Sequence, residues 1–177
     1  MKERSVRFAR LLFVFVLFIF VLPRSGIGQT ISLEIETNCR GKTTLKAYGE
    51  KGDNFIYAQS NRNWGELYAG RIIHCHSALK FGVGMGVETN QRPLRMGVFV
   101  HYSKRDYQIN LAAEDGGSGF WHKAEIIHKI SRDISLGLVS RGGYREGLMV
   151  SLGVGKSKAK VVLYPNKQKT ISLSMYF

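Results

Sequence analysis

The chain has 177 residues, with 26 Lys and Arg against 13 Asp and Glu, a formal charge of +13, and only 2 Cys. That length suits one domain, and two thiols are too few for a disulfide scaffold. Beyond position 28 the apolar residues are spread evenly, with no run long enough for a spanning helix, which excludes a helical membrane bundle.

Lys2, Arg4, Arg7 and Arg10 open the chain as a basic segment. An unbroken apolar run from position 11 to 22 follows, closed by Pro23, and Gly26-Ile27-Gly28 puts small residues where a signal peptidase reads. The run is too short to cross a bilayer comfortably as a helix. Residues 1–28 are therefore expected to be a cleaved signal peptide and residues 29–177 the folded domain. The leader holds five of the basic residues and one acidic residue, so the domain keeps a formal +9. For an exported chain the expected polyanionic partner is lipid phosphate, not nucleic acid.

From 31 to 77 alternation is blurred, and strands are expected around 31–37, 43–49, 54–60 and 66–74. The rhythm clears at Leu79. Leu79, Phe81, Val83, Met85 and Val87 alternate with Lys80, Gly82, Gly84, Gly86 and Glu88. Leu94, Met96, Val98, Val100 and Tyr102 then alternate with Arg95, Gly97, Phe99, His101 and Ser103. A period of two sustained that long is a strand. A turn at Asn90-Gln91 sets Val87 against Leu94, Met85 against Met96 and Val83 against Val98, an agreement that a one-residue slip would destroy.

A turn at Lys104-Arg105 sets Tyr102 against Tyr107 and Val98 against Leu111. On the opposite face His101 meets Gln108, and Arg95 meets Glu114 as a cross-strand ion pair. A less regular strand is expected around 120–130. Ile134, Leu136 and Leu138 then match Leu152, Val150 and Leu148 around Gly142-Gly143-Tyr144. A turn at Lys156-Ser157 sets Leu152 against Val161, and a loop over 165–168 sets Leu163 against Ile171 and Val161 against Leu173. The total is about twelve strands, with ten as the alternative, at the turn spacing of a sandwich or barrel.

The second face is where sandwich and barrel part. In a membrane barrel the apolar face meets lipid and the other lines a lumen. Lys80, Gly82, Gly84, Gly86, Arg95, Gly97, Phe99, His101, Gln108, Asn110 and Glu114 would then face inward. Ala112, Ser135, Gly137, Ser151, Gly153, Ser172 and Ser174 would join them and leave space. Lys80, Arg95, Lys158 and Lys160 against Glu88, Asp106 and Glu114 would make the lining slightly basic, the expectation for a small-solute pore with weak anion preference. A soluble exported β-sandwich or lipocalin-like binding module would pack the apolar face inward instead.

Most motifs carry no chemistry. Gly82-Val83-Gly84-Met85-Gly86 lacks the dinucleotide spacing, and Gly155-Lys156-Ser157 lacks the first glycine of a P-loop. His74-Cys75-His76 would point to alternating faces of a strand, which converges poorly on a metal ion. Neither a metal nor a cofactor is expected. Cys39 and Cys75 fall at opposite ends of the expected barrel. His101 and Ser103 share one face, a nucleophile arrangement. They are similar to the His-x-Ser element of outer-membrane lipid A deacylases, which implies a lipid-modifying hydrolase as an alternative function. Lys104 departs from that family's usual Asn, and Glu114, the acid at a matching separation, sits beside Arg95.

Ile171, Leu173, Met175 and Phe177 alternate with Ser172, Ser174 and Tyr176. The pattern resembles the C-terminal β-signal of small bacterial outer-membrane β-barrel proteins, read by the barrel-assembly machinery. The resemblance implies a closed antiparallel up-and-down transmembrane β-barrel in the cell outer membrane, porin-like or structural, with no enzymatic activity expected. No oligomeric state follows from it. With both termini on the periplasmic side, turns near 104–105, 131–133 and 156–157 are expected to be short and periplasmic. The longer connections near 62–65, 114–119 and 165–168 then lie outside. Arg40, Lys42, Arg62, Arg92, Arg141, Arg145, Lys167 and Lys169 fall at or near outer turns. They would solvate those turns or pair with phosphates of lipopolysaccharide.

Overall fold

The computed structural model describes residues 29–89, 93–144, 146–165 and 168–177. The expected signal peptide, the Asn90-Gln91 turn, and Arg92, Arg145 and Lys167 lie outside the described residues. Twelve strands follow one another: β1 (Gln29–Asn38), β2 (Thr43–Lys51), β3 (Asn54–Asn61), β4 (Gly65–His76), β5 (Leu79–Glu88) and β6 (Leu94–Lys104) make one half. The other half is β7 (Tyr107–Gly116), β8 (Trp121–Lys129), β9 (Ile134–Arg141), β10 (Gly147–Val154), β11 (Ser157–Leu163) and β12 (Lys169–Tyr176). Each pairs antiparallel with the next, and β12 pairs with β1 through Leu33 opposite Met175 and Ile35 opposite Leu173. The sheet is a closed barrel, so a two-sheet sandwich is excluded.

Register follows the apolar pattern. Val83 faces Val98, Met85 faces Met96 and Val87 faces Leu94, as the alternation requires. Leu138, Leu136 and Ile134 likewise face Leu148, Val150 and Leu152. Three hairpins differ from expectation by two residues. The β6–β7 turn is Arg105-Asp106, so Lys104 faces Tyr107 and Tyr102 faces Ile109. The β10–β11 turn is Gly155-Lys156, so Val154 faces Ser157 and Leu152 faces Ala159. Across β11–β12, Val161 faces Ile171 and Leu163 faces Lys169. Two-residue hairpins favour positive φ, and Gly155 supplies +59° without steric cost while Arg105 adopts +51°. A shift by an even number leaves every side chain on its face.

The outward face is apolar around the barrel. Met85 is 63% exposed and Met96 65%, and Ile35, Leu45, Leu111, Ile126, Leu136, Leu138, Leu148, Val150, Leu173 and Met175 are exposed with them. A continuous apolar surface of that extent is foreign to a monomer in water. Charged residues on this side stand toward strand ends, as at Lys104, Asp115 and Lys169, and Arg71 lies beside the β2–β3 turn, 3.9 Å from Asp53.

The inward face is less open than a glycine- and serine-rich lining suggested. Phe55, Tyr68 and Ile72 form one buried cluster inside, with Tyr48, Tyr57 and Phe99 against it. Ile127, Val139, Met149, Val162 and Tyr164 form another, with Tyr144 against it. The inward glycines are the room these groups occupy. A Cβ on Gly82 would stand 2.0 Å from the Phe99 ring, one on Gly84 2.8 Å from Phe55, and one on Gly86 2.8 Å from Tyr68. Across the barrel, a Cβ on Gly137 would lie 2.8 Å from the Met149 methyl.

Gly82→Ala is therefore expected to destabilise the folded barrel by about 1–3 kcal/mol through overpacking. In a Phe99→Ala background the same change should cost much less, because the obstructing ring is gone. Urea unfolding from micelles measures both, and equal costs in the two backgrounds would refute the packing assignment.

Candidate functional site: the barrel interior

Alternation delivers a polar, aromatic set of side chains to the inside, arranged as two ionic networks on different walls. The first is centred on Arg95 at the loop end of β6, where its side chain is 2% exposed. Arg95 stands opposite Gly116, and a Cβ there would meet the arginine stem at 2.4 Å. The missing side chain is what lets the guanidinium lie across the wall. Nε donates to the Tyr68 hydroxyl at 2.7 Å and Nη1 to Glu88 Oε2 at 2.9 Å. Nη2 donates to Glu114 Oε2 at 3.3 Å, and Nη1 also donates to the Ser118 hydroxyl.

Glu66 is fully buried; its Oε1 accepts from Gln59, while its Oε2 makes no hydrogen bond and is held by charge 3.3 Å from Arg95 Nε. The Trp64 indole and the Ser118 backbone N–H donate to Glu88 at 3.0 and 2.6 Å. The Arg95–Glu114 pair expected from the sequence is present, but as a diagonal contact, because Glu114 stands opposite Gly97.

The second network spans the seam. Lys46 Nζ bridges Glu34 at 2.9 Å and Glu36 at 2.8 Å, and Arg141 Nη1 holds the other Glu36 oxygen at 2.6 Å. Lys123 at 2.8 Å and Lys160 at 3.4 Å share Glu125 Oε1. Arg141 therefore points inward, contrary to its expected place among the outer-turn cations, because it ends β9 on the inward side of the alternation. Its guanidinium lies 5.9 Å from the Trp121 ring and 5.3 Å from the Tyr144 ring. A third pair joins Lys80 to Glu50 at 2.8 Å.

These contacts correct the expected basic lining. Glu34, Glu36, Glu50, Glu66 and Glu125 face inward beside Glu88 and Glu114, and they nearly balance Lys46, Lys123 and Arg141 added to Lys80, Arg95, Lys158 and Lys160, with Lys129, at the exposed end of β8 opposite Ser135, one cation over. Asp106 belongs to the exposed β6–β7 turn, not to the lining.

Three cavities follow one another between the networks. A chamber of about 490 Å³ is lined by Lys80, Gly97, Phe99, His101, Asn110, Glu114, Tyr48, Tyr57 and Trp121. A space of about 210 Å³ continues it past Tyr48, Tyr57, Trp121, Lys123 and Arg141. A vestibule of about 280 Å³ lies at the loop end, lined by Asn38, Asn61, Trp64, Arg95, Ser118, Trp121, Arg141 and Tyr144. Trp121 borders all three, and Arg141 the upper two. The described lining residues come from β1 to β9 and adjoining loops. Ser151, Ser172 and Ser174 are buried in the opposite wall, which the Met149 cluster fills. Lys80, Gly97, Phe99, His101, Asn110, Ala112 and Glu114 thus reach the chamber, Arg95 the vestibule, and Gly82, Gly84 and Gly86 back the aromatic rings. Gln108, opposite Ser103, donates to Asn110 at 3.1 Å.

His101 and Ser103 are not joined by an acid. His101 Nδ1 is hydrogen-bonded to Asn110 Oδ1 at 2.7 Å, and Asn110 is bonded in turn to Glu125. Glu114 is engaged by Arg95 and Tyr68 and sits four residues from Asn110 along β7, about 13 Å at strand rise. Ser103 stands at the exposed end of β6. Among the described residues the geometry supplies no orienting carboxylate for a histidine-activated serine. Cys39 and Cys75 are free and exposed.

Alternation in the sequence did not single out Tyr48, Tyr57, Tyr68, Trp121, Lys46, Lys123 or Glu125. Their strands carry large rings on the inward face, so the two faces look alike in hydropathy. The available signal was Glu34-x-Glu36 and Lys123-x-Glu125, charges at spacing two on strands of an otherwise apolar outer face.

No protein-family model matches the chain, and no curated protein matches it in sequence. The fold is similar to that of a KdgM porin solved in complex with disordered oligogalacturonate, with a TM-score of 0.63 at 13% identity, covering 84% of this chain and 98% of that one. It is also similar to the NanC porin, with a TM-score of 0.56 at 11% identity, covering 83% and 98%.

Replacing Arg95 by Met strands buried carboxylates and is expected to cost about 3–5 kcal/mol of folding stability. Adding Glu88→Gln should recover part of the loss, since one uncompensated charge is removed. Denaturant titration followed by tryptophan emission is the check; independent, additive effects would refute the network.

Proposed function

We propose that this chain is an outer-membrane β-barrel of the porin kind, conducting small hydrophilic solutes along the three linked cavities. The observation that carries the proposal is the reversal of faces: the apolar side of a closed sheet is outside and a hydrogen-bonded, charged side is inside. A soluble sandwich or lipocalin-like module needs the opposite arrangement. A bilayer is the solvent that accepts an apolar belt, and closure satisfies the backbone within it. The likeness in fold to the KdgM and NanC porins supports the same reading.

In this account residues 1–28 direct export, and the strand ending in Ile171, Leu173, Met175 and Phe177 engages the assembly machinery. Arg40, Lys42 and Arg62, exposed at the loop end, face the phosphates of the outer leaflet. The solute path runs from the vestibule past Trp121 and Arg141 into the chamber. Charge balance along that path favours little discrimination between small anions and cations.

The refolded protein in planar bilayers should give discrete single-channel currents, with a reversal potential near zero under a salt gradient. Trp121→Ala should raise the unit current by widening the shared boundary of the cavities. A folded barrel without conductance would overturn the pore, and a strong anion preference would overturn the charge-balanced path.

A further inference from the structure

The 490 Å³ chamber has a composition of its own. Tyr48, Phe55, Tyr57, Tyr68, Phe99 and Trp121 all border it. Phe55 and Phe99 meet edge to face at 5.1 Å, and Tyr57 and Tyr68 lie 6.3 Å apart. Packed against the buried Phe55 and Tyr68, the half-buried rings of Tyr48, Tyr57 and Phe99 are held as platforms. The polar groups at the chamber's margin are already matched. Lys80 is neutralised by Glu50 at 2.8 Å, and Lys123 by Glu125 at 2.8 Å. His101 is bonded to Asn110 at 2.7 Å, and Glu114 is held by Arg95 at 3.3 Å.

We infer that this chamber is a binding site for an uncharged, ring-shaped polyhydroxy solute, in the size range of a mono- or disaccharide. The inference rests on the pore reading and names the class of solute that the path retains. Aromatic faces attract the C–H-bearing faces of a saturated ring and exclude water from them. Hydroxyls both donate and accept, so they can bond to an ion pair's unused donors and acceptors without separating it. A carboxylate solute lacks that option. It must leave water and then either stay uncompensated, take Lys80 and strand Glu50, or take Lys123 and leave Glu125 to the longer contact with Lys160. Pockets of this size, mostly apolar with a few convergent polar groups, are the usual form of a small-molecule site.

The test uses the refolded protein in micelles, with maltose as the neutral probe and digalacturonate as the acidic one. Trp64 and Trp121 are the two tryptophans, and Trp64→Phe isolates the emission of Trp121. Maltose should change that emission saturably, and digalacturonate at equal concentration should not. Tyr57→Ala should weaken maltose binding at least tenfold, whereas Tyr57→Phe, which keeps the ring, should retain it. Glu50→Gln leaves Lys80 unpaired and should make the protein respond to digalacturonate.

No saturable response to maltose, or tighter binding of digalacturonate by the unmutated chamber, overturns the inference. Conductance measured on the same preparation separates the two readings. Current without a maltose response refutes the binding site and leaves the pore. A maltose response without current supports the binding site and refutes the pore.

Discussion

Pairing of β12 with β1 makes a sheet into an enclosure. Once that seam forms, backbone donors and acceptors along the strands are satisfied within the sheet, and no edge is left to recruit another chain. The same closure turns the two faces of every strand into an inside and an outside. Seam contacts such as Leu33 opposite Met175 continue the apolar outer surface. On the other side of the same strands, Ser174 donates to Glu34 at 3.4 Å, which ties the closing strand to the interior network.

Enclosure then sets the problem that the interior solves. A twelve-strand ring encloses more space than small inward side chains fill. The chain divides that space unequally. The Met149 cluster fills one wall, and glycines elsewhere let Phe55, Tyr68 and Phe99 lie flat against the sheet. The charges that remain are brought together in pairs and triads, because an uncompensated ion held away from water is costly. What stays open are three cavities bordered by rings and paired charges, with Trp121 on all three and Arg141 on two.

The sequence made some of this legible and obscured the rest for definite reasons. From Leu79 to Tyr102 the outward positions are apolar and the inward positions small or polar, so register could be read directly, and the pairing of Val83 with Val98 follows. Gly155 is the turn signal at β10–β11; its positive φ places the hairpin two residues from the register that the apolar pattern alone suggests. From β2 to β4 the inward positions include Tyr48, Phe55, Tyr57, Tyr68 and Ile72. Hydropathy there cannot separate rings that fill a lumen from side chains that meet lipid. Arg141, next to the β9–β10 connection in the chain, reads as a loop cation, although the parity of β9 sends it inward beside Glu36. The balance of lining charge is hidden in the same way, since Glu34, Glu36, Lys46 and Glu125 lie on strands whose two faces hydropathy does not distinguish.

The reversal of faces is the central claim, and the most direct measurement of it is site-directed spin labelling in lipid vesicles. Cys39 and Cys75 would first be replaced by Ser, and single cysteines then introduced as Met85→Cys, Met96→Cys, Lys80→Cys, His101→Cys and Asn110→Cys. Labels at 85 and 96 should collide readily with oxygen and rarely with a polar nickel chelate, as expected for lipid. Labels at 80, 101 and 110 should show the opposite order, as expected for an aqueous interior. Chelate access at 85 and 96 equal to that at the inward positions would contradict the account.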